Sequence, residues 1–433
     1  MHRFTLIIYI LFAISTQAFA QGKVTTDSLD RYINHAIENQ FFPGAQVVIG
    51  DSNGIKFSKS YGYMDYSNSK LVTDSTLYDV ASCTKVCATT LAVMTLIDDG
   101  RLTAQTRIDE IIELPDTIKF GDIRIEELLY HTAGFRPFVS VAFSLSKSAH
   151  EGVHLLSRKQ SEANPYPFDD RYFAAKDILY DPKYVSHCSG ENRVKIAKNL
   201  YVDKEYHKML DSLVYAAHNS EQRGRHIYSD LSFYMLQKVV EKVSRTTLDS
   251  YTQRIYDQMN LQNIGYKPLS WSHAENICPT EYDALFRRDT MRGLVHDELA
   301  CVLGGVGGNA GLFSSANNIA QICAMFLRGG VDYNGEQIVK GQTVDAFTKF
   351  ERGQKKSIYA LGFTKVDNKD LPYTPQSYGH TGYTGAYMWI DPDKDIYVVM
   401  LSNRVHPTRG NKKFNGEYRG KLWEIATAID FEK

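Results

Sequence analysis

Ser82 stands three residues before Lys85 at the head of an apolar run, Val80-Ala81-Ser82-Cys83-Thr84-Lys85-Val86-Cys87-Ala88-Thr89-Thr90-Leu91. On an α-helix, residues three apart project from one face. The spacing therefore predicts that the Ser82 hydroxyl and the Lys85 ammonium share one space. A serine hydroxyl is a poor nucleophile until a neighbour takes its proton. Lys85 can do so if burial lowers its pKa toward neutrality, because a low dielectric disfavours the charged form. Read without further context, Ser82 is most simply a helix N-cap and Lys85 a solvated helix residue.

The same Ser-x-x-Lys spacing recurs at Ser67–Lys70 and Ser144–Lys147. Those pairs lie in polar or weakly patterned loops, with no long apolar helix to desolvate the lysine. Only Ser82–Lys85 has Val86, Leu91, Met94 and Leu96 behind it. A second candidate is Tyr228-Ser229-Asp230, which precedes the apolar helix predicted over Leu231 to Val243. Tyr63-Met64-Asp65 and Tyr201-Val202-Asp203 share its pattern without that context. A third is His380-Thr381-Gly382, ahead of an aromatic-rich strand. The glycine-rich run 303–312 has no Gly-Lys-Ser/Thr ending and reads as a tight turn near a cleft, not a phosphate loop. His131 and His296 read as structural, since neither has a paired acid at suggestive spacing. His296-Asp297-Glu298 reads as a turn and not as a metal tripeptide.

These candidates need elements to hold them. Apolar periodicity predicts helices over Thr25 to Gln40, Ser82 to about Asp99 and Asn317 to Leu327, with another over Tyr418 to Asp430. Strands are expected at Ala45 to Gly50 and Ile55 to Tyr63 around an Asn-Gly turn. Further strands are expected at Gly385 to Ile390 and Ile396 to Asn403. Residues from Ala104 to Asn263 read as helix and loop. Their charged, tyrosine-rich stretch 139–219 carries expected helices at Arg193–Leu200 and Tyr206–Ala217, and is either a wall of the cleft or a solvated insertion. Strands at both chain ends with helices between predict an α/β (α+β) fold. Its sheet domain comes from 21–80 plus 290–433, and a mainly helical domain, 81–289, is inserted.

The chain has 433 residues, 43% apolar and 23% charged, with a formal net charge of -1. That balance excludes any compositional case for nucleic acid or an anionic membrane as partner. His2 and Arg3, the apolar run Leu6 to Ile14 and the small-x-small site Ala18-Phe19-Ala20 read as a secretory signal over 1–20, cut after Ala20. A periplasmic or secreted protein without a stable membrane anchor is expected, and no other apolar stretch is taken as a span. The six cysteines permit disulfides but do not require them. Cys83 and Cys87 read as small core residues, and no metal or cofactor is expected.

Ser-x-x-Lys at a helix start, then Tyr-Ser-Asp before a second helix, then His-Thr-Gly on a strand resembles the serine β-lactamase and penicillin-binding protein superfamily. The match is nearer its class C-like branch of D,D-peptidases, muropeptide amidases and esterases. Leu129 to Phe135, Tyr228 to Phe233 and Gly311 to Ala316 carry the likeness further. The run Val295 to Ser314 is similar to a subgroup of cell-wall hydrolases. The resemblance implies a β-lactamase-like antiparallel sheet flanked by helices, with the active site between sheet and helical domain. It implies Ser82, Lys85 and Tyr228 as catalytic residues, with either Tyr228 or Lys85 as general base. Asp230 would orient Lys85 or a substrate amide. His380, Thr381 and Gly382 would line the pocket, and the N–H groups of Ser82 and Tyr383 would form the oxyanion hole. His380 stands where β-lactamases have lysine, and Asp230 where they have Asn, which turns the expectation away from β-lactams. The expected activity is an acyl-enzyme hydrolase of peptidoglycan-derived substrates, cutting a D-Ala–D-Ala type bond or a muramoyl–L-alanine amide. A carboxylesterase with the same residues, or a sensor that is acylated without turnover, are the alternatives.

Overall fold

The computed structural model describes residues 24–349, 360–365 and 372–431. The expected signal segment 1–20 lies outside the described residues. The fold is α/β around a five-stranded antiparallel sheet. In spatial order its strands are Tyr378–Thr381, Tyr387–Asp391, Ile396–Ser402, Gly44–Asp51 and Gly54–Gly62. The N-terminal hairpin joins the C-terminal strands through Ala45 opposite Ser402 and Val48 opposite Val399. The Asp51–Gly54 turn closes because the Asp51 carboxylate accepts the N–H groups of Asn53 and Gly54 at 2.8 and 3.0 Å.

Successive side chains on a strand point to opposite faces, and both faces of this sheet are apolar. Val47, Ile49, Tyr387, Trp389, Val398 and Met400 pack on the terminal helices Thr26–Glu38 and Gly416–Ala428 through Leu29, Ile33, Leu422 and Trp423. Val48, Met388, Ile390, Val399 and Leu401 face the larger core, which includes the helix Ala316–Leu327. The inner strands are therefore buried on both faces, whereas the edge strand Gly54–Gly62 exposes Lys56, Ser58 and Lys59.

On the larger-core side the helices Leu91–Asp98, Asp230–Ser244 and Leu248–Gln258 pack together. The continuous run Ala81–Asp98 reaches the length and apolarity of a membrane span, where no stretch of spanning length was expected. It is 78% buried inside the protein and is a core helix.

The stretch 139–219 corrects two expectations. First, it is not a solvated insertion: Val141, Ala142, Leu145, Leu155, Val185, Ile196, Val202 and Tyr206 are all buried in the larger core. Second, Arg193–Leu200 is no helix. Arg193–Ala197 is a strand paired with Leu200–Asp203. Arg193-Val194-Lys195-Ile196 alternates polar and apolar with period two, the strand signature, and is too short to bury a helical stripe. Further short strands pair within 146–180, whereas Tyr206–Ala216 is helical as expected.

Candidate active site

Ser82 sits within a single 3-10 turn, Ala81–Cys83, followed by a π-helical turn, Lys85–Thr90, and then the α-helix Leu91–Asp98. The regular α-helix expected from Ser82 onward is thus corrected over its first half. Residues three apart eclipse one another in a 3-10 turn, so Ser82 and Lys85 still face the same space. Ser82 Oγ lies 3.1 Å from Lys85 Nζ. Ser82 is partly exposed, whereas Lys85 is fully buried. The N-cap reading therefore fails, because Ser82 makes no capping bond and Lys85 is not solvated.

Ala81 holds φ at +45°, in the left-handed region that is costly for a residue with a side chain. Asp79 fixes it there. One carboxylate oxygen accepts the Ala81 N–H at 2.8 Å and the other accepts the His296 N–H at 2.7 Å. The Thr384 hydroxyl donates to the Asp79 carbonyl at 2.6 Å, tying this turn to the one after the third motif.

Lys85 Nζ also donates to Asp230 Oδ1 at 2.6 Å and to the Asn309 carbonyl at 3.1 Å. It lies over the Tyr228 and Phe233 rings, 4.9 and 5.5 Å from their centroids. Burial alone would lower its pKa and is the largest influence. The Asp230 carboxylate and the Tyr228 hydroxyl outweigh it, so the pKa rises above the ordinary lysine value. This corrects the expectation of a buried lysine poised near neutrality: Asp230 holds it as an ammonium.

Tyr228 and Asp230 arrive together because Ser229 caps the helix Asp230–Ser244, its hydroxyl accepting the Ser232 N–H. The Ser229 N–H donates to His131 Nδ1 at 3.0 Å, and the His131 ring lies 4.6 Å from that of Tyr228. Burial and the nearby Lys85 charge hold His131 neutral, its pKa well below the ordinary value. Burial is the largest influence on the Tyr228 hydroxyl and pushes its pKa up, against the opposing influence of Lys85 and Ser82 beside it. It rests as a neutral phenol.

The third motif closes the other side. His380, on the strand Tyr378–Thr381, is buried, and its Nδ1 lies 2.8 Å from the Thr381 carbonyl. A carbonyl can only accept, so Nδ1 carries the proton of a neutral ring. Burial, with the Lys85 charge, lowers the His380 pKa to about 3. Gly382 has no room for a side chain: a Cβ there would meet the Val80 carbonyl oxygen at 2.3 Å. That close approach sets the third motif against the Ser82 turn. Thr381 is half-buried, and Tyr383 is 49% exposed.

The structure thus brings Ser82, Lys85, Tyr228, Asp230 and His380 around one point, with Thr381, Gly382 and Tyr383 along its rim. Asp79 and Asn309 also belong to the site although no motif marks them, and Asp297, read as part of a turn, joins them as the N-cap of the helix Glu298–Val302. Asn309 Nδ2 donates to Asp297 Oδ1 at 3.0 Å while its carbonyl takes Lys85. The glycine-rich run expected as a turn near a cleft is the segment that delivers it. A lone Asp or Asn in a loop carries no sequence signal, whereas the glycines around Asn309 do.

Comparison with known proteins places these features. A family model described as Beta-lactamase matches residues 29–417. A protein of Salmonella gallinarum (strain 287/91 / NCTC 13346), provisionally named D-alanyl-D-alanine carboxypeptidase, is 28% identical over 460 residues, covering 95% of this chain and 94% of that protein. Among solved structures, the octameric penicillin-binding protein homologue of Pyrococcus abyssi superposes with a TM-score of 0.63 at 15% identity, covering 94% of this chain and 78% of its own. A hydrolase with promiscuous acyltransferase activity, EstCE1, superposes at 0.62 with 16% identity, covering 93% of this chain and 98% of its own.

Proposed function

We propose, from the premise that the chain belongs to the beta-lactamase family, that it is an exported serine hydrolase forming an acyl-enzyme on Ser82. Its substrate is an amide in peptidoglycan-derived material, of the D-Ala–D-Ala or muramoyl–L-alanine type. The observation that carries the reading is the unbroken contact from Ser82 Oγ through Lys85 Nζ to Asp230, with the Tyr228 ring beside Lys85. The likeness to a protein named for carboxypeptidase activity supports the substrate class.

The resting protonation states define the proton path. Lys85 is an ammonium and has no lone pair for the Ser82 proton. Its own proton can pass to Asp230, 2.6 Å away. The resulting amine takes the Tyr228 proton as the Tyr228 oxygen takes that of Ser82. Ser82 Oγ bonds to the substrate carbonyl carbon, and the oxyanion meets the N–H groups of Ser82 and Tyr383. Each such donor is worth about 2.7–4 kcal/mol of barrier. Reversal of the relay delivers a proton from Tyr228 to the leaving amine as the C–N bond breaks. Water then repeats the sequence on the acyl-enzyme.

Fluorophosphonate labelling followed by incubation with purified muropeptides tests the reading. Wild-type protein is expected to label at Ser82 and to release a product seen by mass spectrometry, and Ser82→Ala to do neither. Undiminished labelling of Ser82→Ala means another nucleophile. Labelling without any muropeptide product, but with turnover of short p-nitrophenyl esters, hands the protein to the esterase reading.

A further inference from the structure

The pair His296-Asp297 reads from the sequence as part of a turn, and parts of the candidate site converge on it. The His296 N–H donates to Asp79, whose other carboxylate oxygen holds Ala81 beside Ser82. Asp297 Oδ1 accepts the Asn309 side chain, and the Asn309 carbonyl takes Lys85. The His296 ring reaches in a third direction, to the turn after the third motif. It lies 5.7 Å from the Tyr383 ring, centroid to centroid, with the two planes 30° apart.

Thr384 and Gly382 fix that turn beside the Ser82 segment. Its internal bonds run from the Gly382 N–H to the Ala386 carbonyl and from the Gly385 N–H to the Gly382 carbonyl, at 2.8 and 3.1 Å. Neither uses the Tyr383 N–H, the group the hydrolase reading assigns to the oxyanion. The Tyr383 side chain is 49% exposed, so its support comes from the few groups against its ring. Besides His296, the Arg404 guanidinium carbon lies 4.6 Å from the ring centroid. His296 is itself anchored. It is 7% exposed, and its Nε2 lies 3.1 Å from Glu281 Oε2, off the line of a hydrogen bond. Burial would raise the Glu281 pKa, but His296 and Arg409 outweigh it and hold a carboxylate there. Arg409 Nε lies 2.8 and 2.9 Å from the two Glu281 oxygens. An aromatic pair stabilises one ring geometry beyond the area it buries. A group displaced by about 1 Å at a reacting centre can cost on the order of 100-fold in rate.

We propose that His296 is a positioning residue for the oxyanion turn: its ring, braced on the buried Glu281–Arg409 pair, holds the Tyr383 ring and thereby sets the direction of the Tyr383 N–H. The inference rests on the serine hydrolase reading and adds to it a residue outside the three motifs. Its lever is the ring alone, because the His296 N–H to Asp79 belongs to the backbone and survives any side-chain replacement.

The kinetics of fluorophosphonate labelling on the full-length protein test this. As Ser82 Oγ bonds to phosphorus and fluoride leaves, the phosphoryl oxygen takes the oxyanion position. The maximal labelling rate reads the reacting geometry, and the probe concentration at half-maximal rate reads binding. His296→Gln removes the ring, whereas His296→Phe keeps one. His296→Gln is expected to lower the maximal rate about 10- to 100-fold with half-saturation unchanged, and His296→Phe to recover most of the loss. Tyr383→Leu should lower the rate in the same way, and adding His296→Gln to it should lower it no further. A wild-type rate in His296→Gln, a loss confined to half-saturation, no recovery in His296→Phe, or losses that multiply in the double variant would overturn the role. If His296→Gln does not fold by circular dichroism, Tyr383→Leu decides: a wild-type rate there overturns the role, and a lowered rate at unchanged half-saturation upholds it. Wild-type protein that does not label at Ser82 overturns the hydrolase reading and this inference together, whereas normal labelling in wild type and variants alike overturns the inference alone.

Discussion

Asp230 decides how the Ser82 proton can leave. With Asn at that position Lys85 would lose its counter-charge, and burial alone would drive its pKa down. With Asp the resting pair is charged, and the relay runs only while Asp230 is a carboxylate able to accept. Burial, with Asp297 nearby, raises the Asp230 pKa above the ordinary carboxylate value, and Lys85 only partly offsets this. The acid limb of kcat/KM for a muropeptide or ester should therefore lie above about pH 4, the usual carboxylate value. Asp230→Asn should replace that limb with one set by Lys85. A profile from pH 4 to 9 with an unshifted limb in Asp230→Asn would remove Asp230 from the relay. Tyr228→Phe should lower turnover by roughly two to four orders of magnitude, and wild-type rates would exclude the phenol. The sequence made these three residue types legible as a set through their order. The direction of the Lys85 shift was not legible, because it depends on a 2.6 Å contact between residues 145 positions apart.

At the scale of elements, the site is a meeting of turns on rigid supports. The segment Gly304–Gly311 lies against the second-motif helix so closely that a Cβ at Gly308 would stand 2.1 Å from the Phe233 carbonyl oxygen. The Gly308 N–H donates to Gln237 Oε1 at 3.0 Å, and the next residue offers its carbonyl to Lys85. Gly308→Ala must push this segment off the helix and move Asn309 with it. Overpacking of this kind destabilises by about 1–3 kcal/mol, and Ser82 labelling should slow in the same variant. Gly416→Ala, where an added Cβ meets nothing within 4 Å, should stay within about 0.5 kcal/mol by urea unfolding. Equal effects at the two glycines would refute the packing argument. The glycine run announced a close approach but not its partner. The 3-10 and π turns around Ser82 were hidden for a related reason: their geometry is imposed by Asp79 and by the third-motif turn, both distant in sequence. Where local pattern alone decides, as in the hairpin strands Gly44–Asp51 and Gly54–Gly62 or the helix Asp230–Ser244, sequence and structure agree.

Across the whole molecule, the terminal strands and helices enclose a site whose histidines are kept neutral, and this ties stability to pH. His380 has its pKa lowered from 6.5 to about 3 by burial and the Lys85 charge, and His131 is lowered well below 6.5. Unfolded, both imidazoles take a proton near pH 6.5. Below that value the unfolded chain binds more protons than the folded one, so acid favours unfolding. The contribution is fully present above pH 6.5 and is lost as the pH falls toward about 3. Buried carboxyls with raised pKa, such as Asp79 and Glu298, act in the opposite direction at the acid end, so the raw pH curve mixes the two. A difference measurement separates them. His380→Asn keeps a polar side chain but removes the titration. Wild-type stability minus that of His380→Asn, from urea unfolding, should be flat between pH 7.5 and 8.5 and fall by about 2.7 kcal/mol by pH 4.5, two pH units below the unfolded value at 1.36 kcal/mol each. A difference that stays level over that range would mean that His380 becomes charged in the folded protein near its ordinary pKa. The third motif would then carry a cation in mildly acidic conditions.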